Sequence, residues 1–399
     1  MFSDIIAKGA TLLVLLYIAF VLWPKEFGLY SFVMSFIGTL ILLVDFGLLP
    51  LTIRQSTQHP AMQTAAIQKS CQLKIYLACG ATVILALYAF MFGAPHVVLY
   101  LSIFFGVSVI NSYAEYIRAL HRIHQHMQRE ALIKIINGVC MIICSAIVAR
   151  TTPSILSFLW WLLLASGIHL GVSRRYTRQL LTSPRQLYTI TSLLKRGKQA
   201  FPIGISNILV ALYISADQVI LGQLGQYTAL GEYAFAYKIT LMYTSLSAAC
   251  FHALLPITSR GITPATAKAR YLHGCKRILW WNTPVILFCM CMTYLLIASG
   301  RSVLGAYTPS LAVLIILRIY CRLEPLSNRW YTCLMSLQKD HINVWWLACT
   351  AVINVGCNLL LIPHYGYRSA ARTTVGSYLL YTLFCAFYLT RSTWNTSKG

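Results

Sequence analysis

Long apolar runs separated by short, polar and mostly basic segments make up the pattern of this chain. Twelve runs can be marked, at 5–23, 31–49, 71–92, 97–117, 131–149, 154–172, 201–222, 233–255, 278–299, 309–337, 342–363 and 369–390. Each is long enough to cross a hydrocarbon core roughly 30 Å thick. Helices are predicted throughout, because unpaired backbone is too costly in lipid and the runs lack the in-out alternation of barrel strands. The tenth run is overlong and carries Pro325, which removes a backbone donor and clashes with the preceding turn, so a kink is expected there. The first run has no small-residue cleavage site and reads as a retained span.

Composition agrees with a membrane assignment: 58% of the 399 residues are hydrophobic and only 10% are charged, with a mean hydropathy of +0.67. The net charge of +23 would suit nucleic acid, but the basic residues sit in short segments between spans. With both termini cytoplasmic, the inside segments hold Arg54, Lys69, Arg118, Arg122, Arg129, Arg260, Lys268, Lys339 and others, whereas the outside ones hold only Lys25, Arg150, Arg301 and Arg368. This asymmetry is topogenic, and it also attracts anionic lipid heads; nucleic acid is not a partner on this reading. The longest connection, 171–200, carries seven basic residues and separates a six-helix half at 1–185 from another at 186–399.

Thirteen cysteines include no Cys-x-x-Cys pair. His121, His124 and His126 alternate with arginines that repel a cation, so they read as a solvated basic loop and not as a metal site. No metal, cofactor or catalytic residue is expected.

A repeat organises the chain. Residues 48–54 read LLPLTIR and residues 254–260 read LLPITSR. Each copy closes an apolar run that follows a Gly-x-Tyr, namely Gly28-Leu29-Tyr30 and Gly231-Glu232-Tyr233. Duplication inside a membrane protein points to two similar bundles around a site, a common transporter plan. The expected fold is therefore an all-α polytopic membrane protein of about 12 transmembrane helices. They form two six-helix bundles related by a parallel pseudo-two-fold, with a central cavity.

Charges inside the runs are the candidate functional residues, since each costs about 2.5–3.5 kcal/mol near the bilayer centre unless it is paired or wet. Arg318 and Arg322 are four apart on one helical face, roughly 15–20 Å below the outer end of their span. Glu324 can neutralise at most one of them. Asp217 and Lys238 fall at matching depth, roughly 10 Å from the shared outer end of their spans, and are expected to form a structural salt bridge. Lys8 and Asp45 match in depth near the inner ends of the first two spans, where snorkelling is the alternative. Glu115 and Lys134 read as interfacial. Asn354 and Asn358 give the eleventh span a polar stripe that lines a cavity or bonds a neighbouring helix.

The strings Pro24-Lys25-Glu26-Phe27-Gly28-Leu29-Tyr30 and Asp45-Phe46-Gly47-Leu48 resemble the start of polysaccharide-biosynthesis and O-antigen flippases. These belong to the multidrug/oligosaccharidyl-lipid/polysaccharide exporter superfamily. In order follow Asp217-Gln218-Val219-Ile220-Leu221-Gly222, Ala236-Tyr237-Lys238-Ile239, Leu254-Leu255-Pro256, then Asn354, Asn358, Ile362-Pro363 and Tyr365-Gly366. Ser369, Thr373 and Tyr378 depart from the family pattern. The resemblance implies alternating-access translocation of an undecaprenyl-pyrophosphate-linked oligosaccharide from the cytoplasmic to the periplasmic leaflet of a bacterial inner membrane. It leaves room for glycan polymerase and chain-length machinery as partners, besides the lipid-linked oligosaccharide and membrane lipids.

The site expected on this reading is a cationic substrate-binding set of Arg318, Arg322 and Lys238, with Asp217, Asp45 and Lys8 as charge pairs or gates and Asn354 and Asn358 as polar lining. Arginine's planar fork suits phosphate oxygens. An ion-coupled drug or cation antiporter of the same superfamily is the nearest alternative, but it would place carboxylates in its cavity, and the chain has only nine acids. A polytopic glycan polymerase or glycosyltransferase fits less well, because every outer segment is about ten residues or fewer and no paired aspartates for metal-dependent transfer stand out.

Overall fold

The computed structural model of this chain describes residues 14, 17–19, 21–59, 62–124, 126–151, 154–178, 186–258, 291, 294, 305–336 and 340–395. Its elements are helices: α1 (Pro24–Asp45), α2 (Leu48–Gln58), α3 (Gln63–Phe92), α4 (Pro95–Ile123), α5 (Met127–Thr151), α6 (Ile155–Thr177), α7 (Ile190–Gln223), α8 (Tyr227–Thr258), α9 (Ser310–Ser336), α10 (Asp340–Tyr365) and α11 (Tyr367–Asn395). Among the described residues seven helices are long and apolar enough to cross a membrane. Expected span 5–23 lies largely, and 278–299 almost wholly, outside the described residues. The tenth and twelfth runs form the long helices α9 and α11, diluted by polar positions such as Arg318, Arg322 and Glu324 on the former.

Local signals start the helices where sequence chemistry allows. Pro95 occupies the first turn of α4, where its missing N–H is no loss. The Ser154 hydroxyl caps α6 by accepting from the Ser157 N–H at 3.2 Å. Pro325 lies inside α9.

Two expectations need correction. The heptapeptide 48–54 does not close the second run: α1 ends at Asp45, and the heptapeptide opens α2 instead. Phe46 (φ 36°) and Gly47 (φ 69°) both occupy the left-handed region, which breaks the helical path between them. A side chain at Gly47 would also press on Ile203 and on the Gly204 backbone at 2.8 Å. The second copy, 254–260, runs past the end of α8 beyond the described residues.

The histidine segment is solvated only in part, with His126 exposed. His121 lies on α4 fully buried, 3.0 Å from the Thr177 hydroxyl, and His124 bonds Gln63 at 2.8 Å. The ends of α4 and α6 pack here, so the imidazole finds a neutral partner instead of water. No group of three metal-ligating side chains occurs among the described residues.

The chain divides into two compact units, one of Met1–Leu22 with Tyr30–Ala211, the other of Trp23–Leu29 with Leu212–Gly399. In the first, α4 packs along α6, α5 joins α6, and the short α2 lies on α3 and α4. The early part of α7 completes its core, where Leu193 and Ala200 meet Leu48, Leu51 and Leu73. In the second unit α9 packs between α8 and α11, and α10 lies on α11.

Candidate functional site

The first unit centres its charges on Asp45, the last residue of α1 before the break. Its carboxylate accepts from the Lys74 ammonium of α3 at 2.7 Å and from the Ser112 hydroxyl of α4. Lys74 also donates to the Ser112 carbonyl at 2.9 Å, and its ammonium lies 5.6 and 5.4 Å from the ring centres of Tyr113 and Tyr116. A closed triangle thus ties three helices together. The lysine is buried while the acid stays partly open, an arrangement that keeps the cation neutralised and leaves one face of the carboxylate accessible.

A cavity of about 330 Å³ opens beside this triangle, with Tyr30, Asp45, Asn111, Ser112, Glu115 and Asn137 in its wall. Asn111 is fixed by donating to Ser166 at 2.8 Å and by its 3.2 Å contact with the His169 ring. The buried Asn137 carbonyl oxygen accepts no hydrogen bond among the described residues. Apolar side chains, among them Met34, Ile41, Phe104 and Leu162, make up much of the rest of the wall, so its polar groups are few.

Below the break, α2 carries a buried polar cluster around Thr52. Arg196 of α7 donates to Thr52 and Ser70 at 2.9 Å each and to Gln55. The Tyr116 hydroxyl donates to Thr52 at 3.0 Å. A guanidinium this deeply buried keeps its charge through several good acceptors in fixed directions.

In the second unit Asp217 of α7 is buried. It accepts from the Tyr233 hydroxyl of α8 and from the Gln218 backbone N–H at 2.7 Å. Tyr233 stacks on Tyr237 at 5.7 Å. Nearby, Tyr378 of α11 touches Tyr213, Tyr320 and Tyr381, so one of the three positions that depart from the family pattern is the hub of an aromatic cluster. Asn358 donates to Asn354 at 3.0 Å, which donates to Ser377 at 2.9 Å. Both asparagines are buried where α10 meets α11.

The sequence-derived residues thus fall in several places. Asp217 has Tyr233 and the backbone as its hydrogen-bond partners, and no ion pair within 4.0 Å joins it to the half-buried Lys238. Asp45 meets Lys74, and Lys8 lies outside the described residues. Lys134 is buried, 2.9 Å from Glu130, which also holds Arg122 at 2.7 Å. Glu115 is exposed and pairs at 3.2 Å with the buried Arg118.

Arg318 is half-buried and Arg322 exposed on α9, and neither forms an ion pair among the described residues. Glu324 points to the opposite, buried face with Leu317, Tyr320 and Ser327, where it accepts from Asn328. Sequence reasoning missed Lys74, Ser112, Arg196 and Tyr233. A lone lysine inside the third apolar run is a signal for Lys74; nothing in the sequence separates Arg196 from its topogenic neighbours.

No curated protein sequence matches the chain. Among solved structures it resembles the lipid II flippase MurJ in an inward closed conformation, with 11% identity over 98% of this chain and 87% of that one and a TM-score of 0.73. It also resembles an inward-facing multidrug resistance MATE family transporter of the MOP superfamily, with 14% identity over 96% and 95% of the two chains and a TM-score of 0.67. A MOP superfamily transporter from Pyrococcus furiosus Vc1 (DSM3638) follows, with 12% identity over 98% and 94% and a TM-score of 0.55. At these identities the likeness establishes the fold, that of MOP superfamily membrane transporters. Its apolar helices and this fold make the protein a multi-pass membrane protein. Residues 1–262 match the polysaccharide biosynthesis protein family, and the chain belongs to it.

Proposed function

We propose that the protein is a flippase carrying an undecaprenyl-pyrophosphate-linked oligosaccharide, such as an O-antigen repeat unit, from the cytoplasmic to the periplasmic leaflet of a bacterial inner membrane by alternating access. One observation carries the anion-binding part of this reading. Arg318, half-buried, and Arg322, exposed, share one side of α9, with no carboxylate paired to either among the described residues. Two cations at that depth are stable only beside water or an anion, and a pyrophosphate with three or more acceptor oxygens fits two guanidinium forks. Membership of the polysaccharide biosynthesis family supports the glycan half of the substrate.

The repeat and the inside-positive loops support twelve helices in two six-helix halves, 1–185 and 186–399, with both termini cytoplasmic. A second reading, an ion-coupled drug or cation antiporter, draws on Asp45 and Glu115 in the wall of the first unit's cavity. Lys74 and Arg118 already balance these two acids, which favours the flippase.

Deletion of the gene in a cell that makes the glycan tests the reading. Complete lipid-linked repeat units should accumulate on the cytoplasmic leaflet. Normal delivery of repeat units to the periplasmic leaflet, with no other exporter present, would overturn it.

A further inference from the structure

The first twelve residues of α7, positions 190–201, are built unlike a transmembrane segment. Helix α7 has 34 residues and a length of about 51 Å, against a hydrocarbon core of roughly 30 Å. Its apolar central part from Ile203 onward accounts for the crossing, which leaves the first three turns at the level of the lipid head groups. By the inside-positive distribution this is the cytoplasmic leaflet.

These three turns have an inverted pattern. Their inward face, packed on α2 and α3, includes the charged Arg196 beside Leu193 and Ala200. The outward face carries large apolar side chains that are left open: Ile190 is 70% exposed, Leu194 60% and Phe201 54%. Lys195 and Lys198 are exposed among them. A groove of about 610 Å³ runs along this face, bounded by Phe46, Leu194, Lys195, Lys198 and Phe201. Phe46 is the residue with φ 36° at the α1–α2 break, and its ring meets Phe201 edge-on at 6.1 Å. The groove wall is therefore part of the backbone break and not a chance surface.

We infer that this groove is a binding site for an anionic phospholipid of the cytoplasmic leaflet. The phosphate sits between Lys195 and Lys198, and an acyl chain lies along Leu194, Phe46 and Phe201. Apolar side chains at head-group level lose less by meeting an acyl chain than by meeting water, and lysines at that level are attracted to anionic lipid. A soluble phosphate would use only the two ammonium groups and leave the aromatic wall exposed. The site uses no residue assigned to the transported substrate, so it stands or falls separately from the flippase reading.

The test uses the full-length protein purified in detergent and measures its thermal unfolding midpoint while phosphatidylglycerol is added, with phosphatidylcholine and inorganic pyrophosphate as parallel probes. Phosphatidylglycerol should raise the midpoint saturably, as any ligand of the folded state does, and phosphatidylcholine should not. The double variant Lys195→Gln, Lys198→Gln should lose at least half of the shift, whereas Arg174→Gln, Arg175→Gln, at exposed basic positions on α6, should keep it. A photoreactive phosphatidylglycerol analogue on the wild-type protein should label residues within 190–201, a readout independent of how the variants fold. An unchanged shift in the lysine double variant, an equal shift with phosphatidylcholine, a pyrophosphate shift of equal size that the same double variant loses, or labelling confined to other segments would each overturn the proposal.

Discussion

Gly28 and Gly231, the glycines of the two Gly-x-Tyr motifs, pack backbone against backbone. A Cβ at Gly28 would strike the Tyr227 carbonyl, and a Cβ at Gly231 would strike the Pro24 carbonyl. Each carbonyl belongs to the residue four before the opposing glycine, so the contact maps onto itself when the motifs are exchanged. The start of α1 and the start of α8 meet here inside the second unit. What the sequence displays as a repeat is thus also a close approach that only glycine permits.

Gly28→Ala or Gly231→Ala should therefore destabilise the protein by about 1–3 kcal/mol, the usual cost of forcing extra volume into a packed contact. Gly38→Ala, where a Cβ meets nothing within 4 Å, is the control. Fluorescence-detected size-exclusion after heating steps compares the three. Equal thermal survival of Gly28→Ala and Gly38→Ala would show that the approach is looser than described.

Asp45 and Lys74 should be energetically coupled. In a double-mutant cycle of Asp45→Asn and Lys74→Met, the interaction energy is expected to reach at least about 1 kcal/mol, because losing one partner strands a buried ammonium or an acceptor. Simple additivity of the two changes in thermal stability would mean that the pair carries no net interaction.

Arg196 should tolerate no lysine. Its guanidinium serves Ser70, Thr52 and Gln55 in three directions, and an ammonium cannot reproduce that fork. Arg196→Lys is expected to cost about 1.5–3 kcal/mol, the range for lost hydrogen bonds to a charged group. Arg54→Lys, at an exposed position of α2 outside this cluster, should be near neutral. A lysine variant as stable as the wild type would remove Arg196 from the cluster's energetics.

For Asp217 the structure names a different first partner from the one that depth-counting suggests. Coupling between Asp217→Asn and Tyr233→Phe should exceed coupling between Asp217→Asn and Lys238→Met, since the tyrosine hydroxyl reaches the carboxylate directly. The reverse ranking in thermal unfolding would restore Lys238 as the main partner.

These contrasts mark how far the sequence reaches. Apolar length and the lack of alternation announce the helices, and the order of motifs from Pro24 to Gly366 announces the family. Helix ends are harder: α1 begins at Pro24, seven residues before the apolar run, and takes in Gly28, whose contact with α8 the sequence does not show. Partners are harder still. Counting residues from a shared loop gives depth but not azimuth, so it cannot tell Asp45 that Lys74 of α3 lies on the facing side, or rank Tyr233 above Lys238. Arg196 is hidden for another reason: a basic residue in a cytoplasmic segment is expected on topogenic grounds alone, and only packing shows that this one is buried.

The central claim, that Arg318 and Arg322 bind the pyrophosphate of a lipid-linked glycan, is tested most directly by translocation in proteoliposomes. Wild type, Arg318→Gln, Arg322→Gln and the two lysine variants are reconstituted at equal protein levels, and transfer of a labelled undecaprenyl-pyrophosphate oligosaccharide between leaflets is timed. Each glutamine change should slow transfer at least about tenfold, equivalent to about 1.4 kcal/mol, while lysine restores it only in part because the planar fork is lost. Transfer at the wild-type rate by both glutamine variants would contradict the account.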